Sequence, residues 1–191
     1  IGVCCPGPLK DGIIQNPPNL VLRNFNLKKF LQNKFKKRVV VGNDAKCVAL
    51  AESVYGVRKK NFFILTLGTG IGGGIVINGE LYTGRGNAGE LGHIILDNGK
   101  YFEYWWKKYS KGVLIKELLN SKKKEDKEKV EILSKYLGQG IASLIDIFDP
   151  EIVVLMGGAR EAGNKFLNMI KKEVPKYKII PEKTNIVWSK L

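Results

Sequence analysis

Between Phe62 and Tyr82 the chain has few ways to fold. An apolar run, Phe62 to Leu67, ends in Gly68-Thr69-Gly70-Ile71-Gly72-Gly73-Gly74, and Ile75-Val76-Ile77 and Glu80-Leu81-Tyr82 then flank Asn78-Gly79. Asn-Gly between two apolar runs predicts a β-hairpin, because both turn residues tolerate the positive φ that such a turn needs. A strand that runs through a glycine-rich turn into a hairpin commits this part of the chain to a sheet. The apolar side of that sheet has to be buried by other elements.

The flanking sequence supplies them. Gly12-Ile13-Ile14 reads as a short strand entering a proline-stiffened loop, Gln15-Asn16-Pro17-Pro18-Asn19-Leu20, with a small helix expected around Leu27 to Phe35. The β-branched run Val39-Val40-Val41 leads through Gly42-Asn43-Asp44 into a helix from Ala45 to Tyr55 that stops at Gly56. From Glu125 to Phe148, Val130, Leu133, Leu137, Ile141, Leu144 and Phe148 recur at steps of three and four, the mark of one face of a long helix ending at Asp149-Pro150. Ile152 to Met156 is then a buried strand, and Gly157-Gly158 opens a further helix through about Glu173. Strands alternating with helices around an internal hairpin predict an α/β fold with a mixed sheet. No repeat of fixed period is present.

With 191 residues, 44% of them hydrophobic and 26% charged, the chain is long enough for one large domain or two small lobes. No apolar run approaches the roughly 20 residues of a membrane span, and the opening residues lack the basic and apolar segments of a signal peptide. A cytoplasmic location is therefore expected. Three cysteines, two of them adjacent at Cys4-Cys5, suit neither a disulfide framework nor paired zinc spacing and read as reduced thiols. The net charge of +14 raises a nucleic-acid partner. The lysine clusters at Lys28-Lys29, Lys34 to Lys37 and Lys122 to Lys124 lack an interleaved stacking pattern, so a solvated surface is the better reading.

Three stretches carry candidate chemistry. The glycine-rich turn exposes backbone N–H groups with no Cβ in the way, which suits phosphate, and the Thr69 hydroxyl adds a donor. No Gly-Lys-Ser/Thr closes it and a hairpin follows it, so it is neither a P-loop nor a dinucleotide fingerprint; a plain hairpin corner is the alternative. Asp44 stands where a strand hands over to a helix. It is either a base for a hydroxyl proton or merely the helix N-cap, and one residue can do both. Gly89-Glu90-Leu91-Gly92-His93 holds the only histidine, either a structural residue or, with Asn43 and Asp44, one of several polar groups that bind the hydroxyls of a sugar.

Taken together and in order, these motifs resemble the ROK family of sugar kinases and repressors. The resemblance is carried by Val41-Gly42-Asn43-Asp44-Ala45, Leu67 to Gly74, Asn78 to Tyr82, Gly89 to His93 and Asp149 to Gly158, with Pro6-Gly7-Pro8 and Pro18-Asn19-Leu20 as upstream landmarks. It implies a two-lobed fold of the actin-like, ribonuclease H-like (hexokinase) type, with ATP and Mg²⁺ as cofactors and a sugar substrate. Asp44 would be the catalytic base; Asn43, Glu90 and His93 would hold sugar hydroxyls. Gly68, Thr69 and Gly70 would bind phosphate, and Gly157 and Gly158 would pack on adenosine. Residues 1–60 would belong to the sugar-binding lobe and residues 61–191 to the nucleotide-binding lobe, with a homodimer as the expected assembly. A sugar-responsive regulator of the same fold is the alternative function, and the retained Asp44 favours catalysis.

The pattern departs from the family in two respects. Family members often follow Gly-His with a cysteine cluster that joins the histidine in binding structural zinc. Here Ile94 to Tyr104 contains no cysteine, so no zinc is expected. The sugar-binding glutamate that comes after that cluster has its counterpart in Glu103. Further, the family's opening Asp-x-Gly-Gly-Thr phosphate turn and its closing small-residue helix are not found, and the chain is expected to be an incomplete version of the fold.

Overall fold

The computed structural model describes residues 1–15, 17 and 21–191; the Pro18-Asn19-Leu20 landmark lies outside them. The first strand, β1 (Gly2–Cys5), is followed by an antiparallel meander of three short strands, β2 (Leu9–Lys10), β3 (Ile13–Ile14) and β4 (Phe25–Asn26). The strand expected from Gly12 starts one residue later because Asp11 and Gly12 form the turn, at φ 53° and 80°. Helix α1 (Leu27–Phe35) lies where it is predicted, capped by Asn26, whose Oδ1 accepts the Lys29 N–H at 2.8 Å. Strand β5 (Val40–Asn43) pairs in parallel with β1, setting Cys4 beside Gly42 and Cys5 beside Asn43, and runs straight into helix α2 (Asp44–Val54).

The main sheet begins with β6 (Phe62–Leu67), β7 (Ile71–Ile77) and β8 (Glu80–Tyr82). Asn78 and Gly79 make the hairpin turn between β7 and β8, at φ 54° and 84°. A small hairpin, β9 (Ile95–Asp97) with β10 (Lys100–Tyr101), leads into helices α3 (Phe102–Ser110), α4 (Ile115–Asn120) and α5 (Lys124–Phe148). Strand β11 (Ile152–Met156), helix α6 (Gly163–Glu173) and strand β12 (Asn185–Trp188) complete the chain. The five-stranded order is β12-β11-β6-β7-β8, with the first three strands parallel and the last two antiparallel. This is the mixed sheet flanked by helices that the strand and helix pattern predicts.

Helices cover both faces, which is why the central strands read as unbroken apolar runs. Phe63, Leu65, Val153 and Leu155 turn to one face and pack with Leu133, Leu137 and Ile141 of α5 and with Phe166 and Ile170 of α6. Phe62, Ile64 and Val154 turn to the other and meet Ala49 of α2. Helix α5 differs from its predicted span by one residue; Asp149 ends it in the left-handed region at φ 41°, and Pro150 follows.

Two expectations change. The segment after Gly157-Gly158 is not one helix: a 3₁₀ turn, Gly158–Ala162, comes first, and Gly163 at φ 65° interrupts it before α6. Helices α3 and α4 are additional elements, their few buried aromatic and aliphatic residues set among lysines. No helix among the described residues is long and apolar enough to cross a membrane.

Candidate active site

The turn from β5 into α2 shows which side chain caps the helix. Asn43, not Asp44, is the N-cap: its Oδ1 accepts the Lys46 N–H at 3.1 Å. Its Nδ2 donates to the Gly7 carbonyl at 3.2 Å, fastening the helix start to Pro6-Gly7-Pro8. Asp44 is exposed, and Oδ1 accepts the Ala45 N–H at 2.8 Å. The other oxygen has no protein donor among the described residues, so the capping role leaves the Asp44 carboxylate available. Nearby, burial pushes the Cys47 thiol up to about 11, with the Cys4 thiol and the Asp44 charge adding to the effect, so Cys47 stays protonated at neutral pH. Cys5 is raised by burial and then by Asp44.

The glycine run divides into two parts. Gly68-Thr69-Gly70 forms the turn, whereas Ile71 onward already belongs to β7. Within the turn the Gly68 N–H donates to the Gly70 carbonyl at 3.0 Å. The N–H groups of Thr69 and Gly70 have no protein acceptor among the described residues and are free to meet an anion. Gly72, Gly73 and Gly74 serve packing instead. A Cβ on Gly72 would lie 3.1 Å from that of Ala45, one on Gly73 2.6 Å from the Gly89 carbonyl, and one on Gly74 2.6 Å from the Ala49 Cβ. Helix α2 and the segment after β8 therefore rest on the backbone of β7.

Helix α3 braces the turn from below. Trp106 Nε1 donates to the Gly68 carbonyl at 2.8 Å, and Glu103 Oε2 accepts the Ile71 N–H at 2.8 Å. Glu103 Oε1 accepts from Lys107 Nζ at 2.5 Å, so the carboxylate is partnered on both oxygens and mostly covered. Trp106→Phe removes the donor and, at this core position, the volume of the pyrrole ring; the expected cost is about 2–3 kcal/mol in urea denaturation, with far-UV circular dichroism as the probe.

The third segment lies against the start of β7. A Cβ on Gly92 would fall 2.1 Å from the Ile71 carbonyl, which holds the 3₁₀ turn Leu91–His93 against the strand. Glu90 precedes that turn and is exposed, as is His93, whose ring stacks on Tyr101 at 5.1 Å between centroids and 16° between planes. Lys46, buried in the first turn of α2, donates from Nζ to the Gly86 carbonyl at 2.6 Å. Burial lowers its pKa, and the Glu90 carboxylate opposes that shift. Lys46 therefore joins the Asp44 helix to the Glu90 loop. Sequence reading misses it because one lysine among many carries no signal; only its place on the Ala45, Ala49, Glu52 face of α2 marks it as buried. Gly157 lies beside the turn across the sheet, where a Cβ would be 2.5 Å from the Leu67 carbonyl, and with Gly158 and Arg160 it lines a cavity of about 470 Å³.

The structure thus brings Asn43, Asp44, Gly68 to Gly70, Glu90, Gly157 and Gly158 to the same end of the sheet, and places Glu103 beneath the glycine turn rather than open on the rim. Among the described residues no three His, Cys, Asp or Glu side chains are grouped as a metal site. The His93 ring faces a phenol ring.

The mixed sheet with helices on both faces is that of a hexokinase-type, actin-like fold. A ROK family glucokinase from Streptomyces griseus in complex with glucose and AMPPNP superposes with a TM-score of 0.85 over 100% of this chain and 76% of that one; at 23% identity the likeness speaks for the fold. The ROK family model matches residues 1–102 and 98–190, and the chain belongs to that family. It is 33% identical to the xylose repressor of Bacillus spizizenii over 91% of this chain and 52% of the repressor. It is also 32% identical to the glucokinase of Pyrobaculum calidifontis over 92% of this chain and 67% of the enzyme. The chain spans about half the length of the xylose repressors it matches. Its relatives thus include both sugar kinases and regulators.

Proposed function

We propose that this chain carries the central part of an ATP-dependent sugar kinase in which Asp44 accepts the proton of the attacking hydroxyl. The observation behind this reading is the division of labour at the start of α2: Asn43 caps the helix, so a free carboxylate stands at the same end of the sheet as the unpartnered N–H groups of Thr69 and Gly70. The cap is made by Asn43 and does not use the Asp44 carboxylate.

In this reading Asn43, Glu90 and His93 hold sugar hydroxyls. Glu103 keeps one oxygen on Ile71 and hands the other, now on Lys107, to a hydroxyl, so that the sugar and phosphate sides share one carboxylate. Gly68, Thr69 and Gly70 hold phosphate, and Gly157 and Gly158 border the adenosine. Magnesium, when bound with the nucleotide, supplies charge neutralisation as the phosphoryl group moves. Residues 1–60 serve the sugar side and residues 61–191 chiefly the nucleotide side. A cytoplasmic homodimer is the assembly this reading entails. The substrate class is a hexose or an N-acyl amino sugar.

The test is coupled ADP release from the full-length gene product across a panel of hexoses, xylose and N-acyl amino sugars. Sugar-dependent release is expected for one of them. Saturable sugar binding without any ADP release would favour the regulator reading, which the likeness to xylose repressors motivates.

A further inference from the structure

The His93 ring belongs to a chain of aromatic contacts that runs from the rim of the site to the long helix of the core. His93 stacks on Tyr101 at 5.1 Å; Tyr101 meets Tyr104 edge-on at 6.3 Å, and Tyr104 meets Trp105 edge-on at 5.1 Å. Trp105 lies flat on Tyr136 of α5, at 4.3 Å and 8°. The path closes on itself, because the Tyr136 hydroxyl donates to Asp97 Oδ2 at 3.2 Å, and Asp97 ends the strand that follows His93. Lys108 adds a cation over the Trp105 ring at 5.0 Å, and Lys100 one over Tyr104 at 5.4 Å. Such pairs prefer fixed offsets and angles, so a run of them sets orientation as well as separation.

We infer that Tyr101 is a positioning residue: its ring, anchored through Tyr104 and Trp105 to Tyr136, holds the His93 imidazole toward the site in the place where a metal would otherwise fasten it. The segment from His93 to Tyr101 has no second imidazole and no thiol, and closes as a short hairpin of β9 on β10. Ring packing is the fastening it has. Because the stack leaves both ring nitrogens of His93 uncommitted to protein groups among the described residues, the imidazole is held by its face and offers its edge. Either ring nitrogen can meet one sugar hydroxyl, as donor or as acceptor, the two pointing in divergent directions. This ligand assignment rests on the sugar-kinase reading; the stack itself does not.

The experiment separates the two. In the full-length protein, the imidazole C–H proton signals of His93, identified by their loss in His93→Gln, are expected upfield of an exposed histidine and unchanged by chelator. Tyr101→Phe is expected to retain that shift and the sugar KM. Tyr101→Ala is expected to lose the shift and to raise the sugar KM roughly three- to tenfold, with the ATP KM held. If Tyr101→Ala does not fold, Tyr101→Leu takes its place with the same expectations. Signals at the exposed-histidine position in the wild type, loss of the shift on chelation, or an unchanged sugar KM in the Ala or Leu variant would overturn the inference. If the upfield shift is present and no sugar moves it, the stack stands and the sugar reading falls.

Discussion

Asp44→Asn in the full-length protein is expected to lower sugar-dependent ADP release by about a hundredfold to ten-thousandfold, the range associated with losing a positioned general base. The amide keeps the size of the side chain and can still accept the Ala45 N–H, so helix α2 should form as before and sugar binding should survive. Loss of turnover with retained sugar affinity, measured by coupled assay and calorimetry, identifies a group needed in the transition state rather than for binding. Undiminished turnover would remove Asp44 from the mechanism. Asn43→Ala gives the contrast: it removes the helix cap, at a cost of about 1 kcal/mol in stability, together with the tie to Gly7.

Gly157→Ala is expected to cost roughly 2–6 kcal/mol, because two penalties add. Gly157 sits at φ 102° and ψ −174°, a region that residues bearing a Cβ avoid at roughly 1–3 kcal/mol. The new methyl would also fall 2.5 Å from the Leu67 carbonyl oxygen and 2.8 Å from its carbon. Backbone in the middle of a sheet cannot step aside cheaply, and overpacking of this kind costs about 1–3 kcal/mol. Gly158→Ala is the matched control. Its Cβ would meet only Leu114 Cδ2 at 3.6 Å, an ordinary contact, and it should stay within about 0.5 kcal/mol of the parent in urea denaturation. Equal effects at the two positions would show that strain at the end of β11 is not the cause.

Sequence reading recovers the hairpin at Asn78-Gly79, the span of α5 and the strands β6, β7, β8 and β11, because turn chemistry and hydrophobic period are local signals. It leaves Asp44 poised between cap and base. Which of two adjacent side chains reaches back to the Lys46 N–H, and so caps the helix, follows from tertiary placement of the turn. The glycine run Gly68 to Gly74 reads as one phosphate feature, yet only its first part is the turn; the second part is explained by Ala45, Ala49 and Gly89, residues distant in sequence whose approach cannot be read from the run. Glu103 and Trp106 act on the turn because they stand three positions apart on one face of a helix, and α3, at nine residues, is too short to announce itself by period. The ring path through Tyr101 and Trp105 depends on Tyr136, a helix face away, and has no sequence signature.

Two bare positions of β7, Gly72 and Gly74, carry a mechanical consequence. Only the methyl groups of Ala45 and Ala49 stand between α2 and the strand, so there is no cushion of rotatable groups to take up sliding. The carboxylate at the head of α2 and the glycine turn at the head of β7 are therefore geared together. Any motion of one carries the other, so their mutual spacing is set when the chain folds.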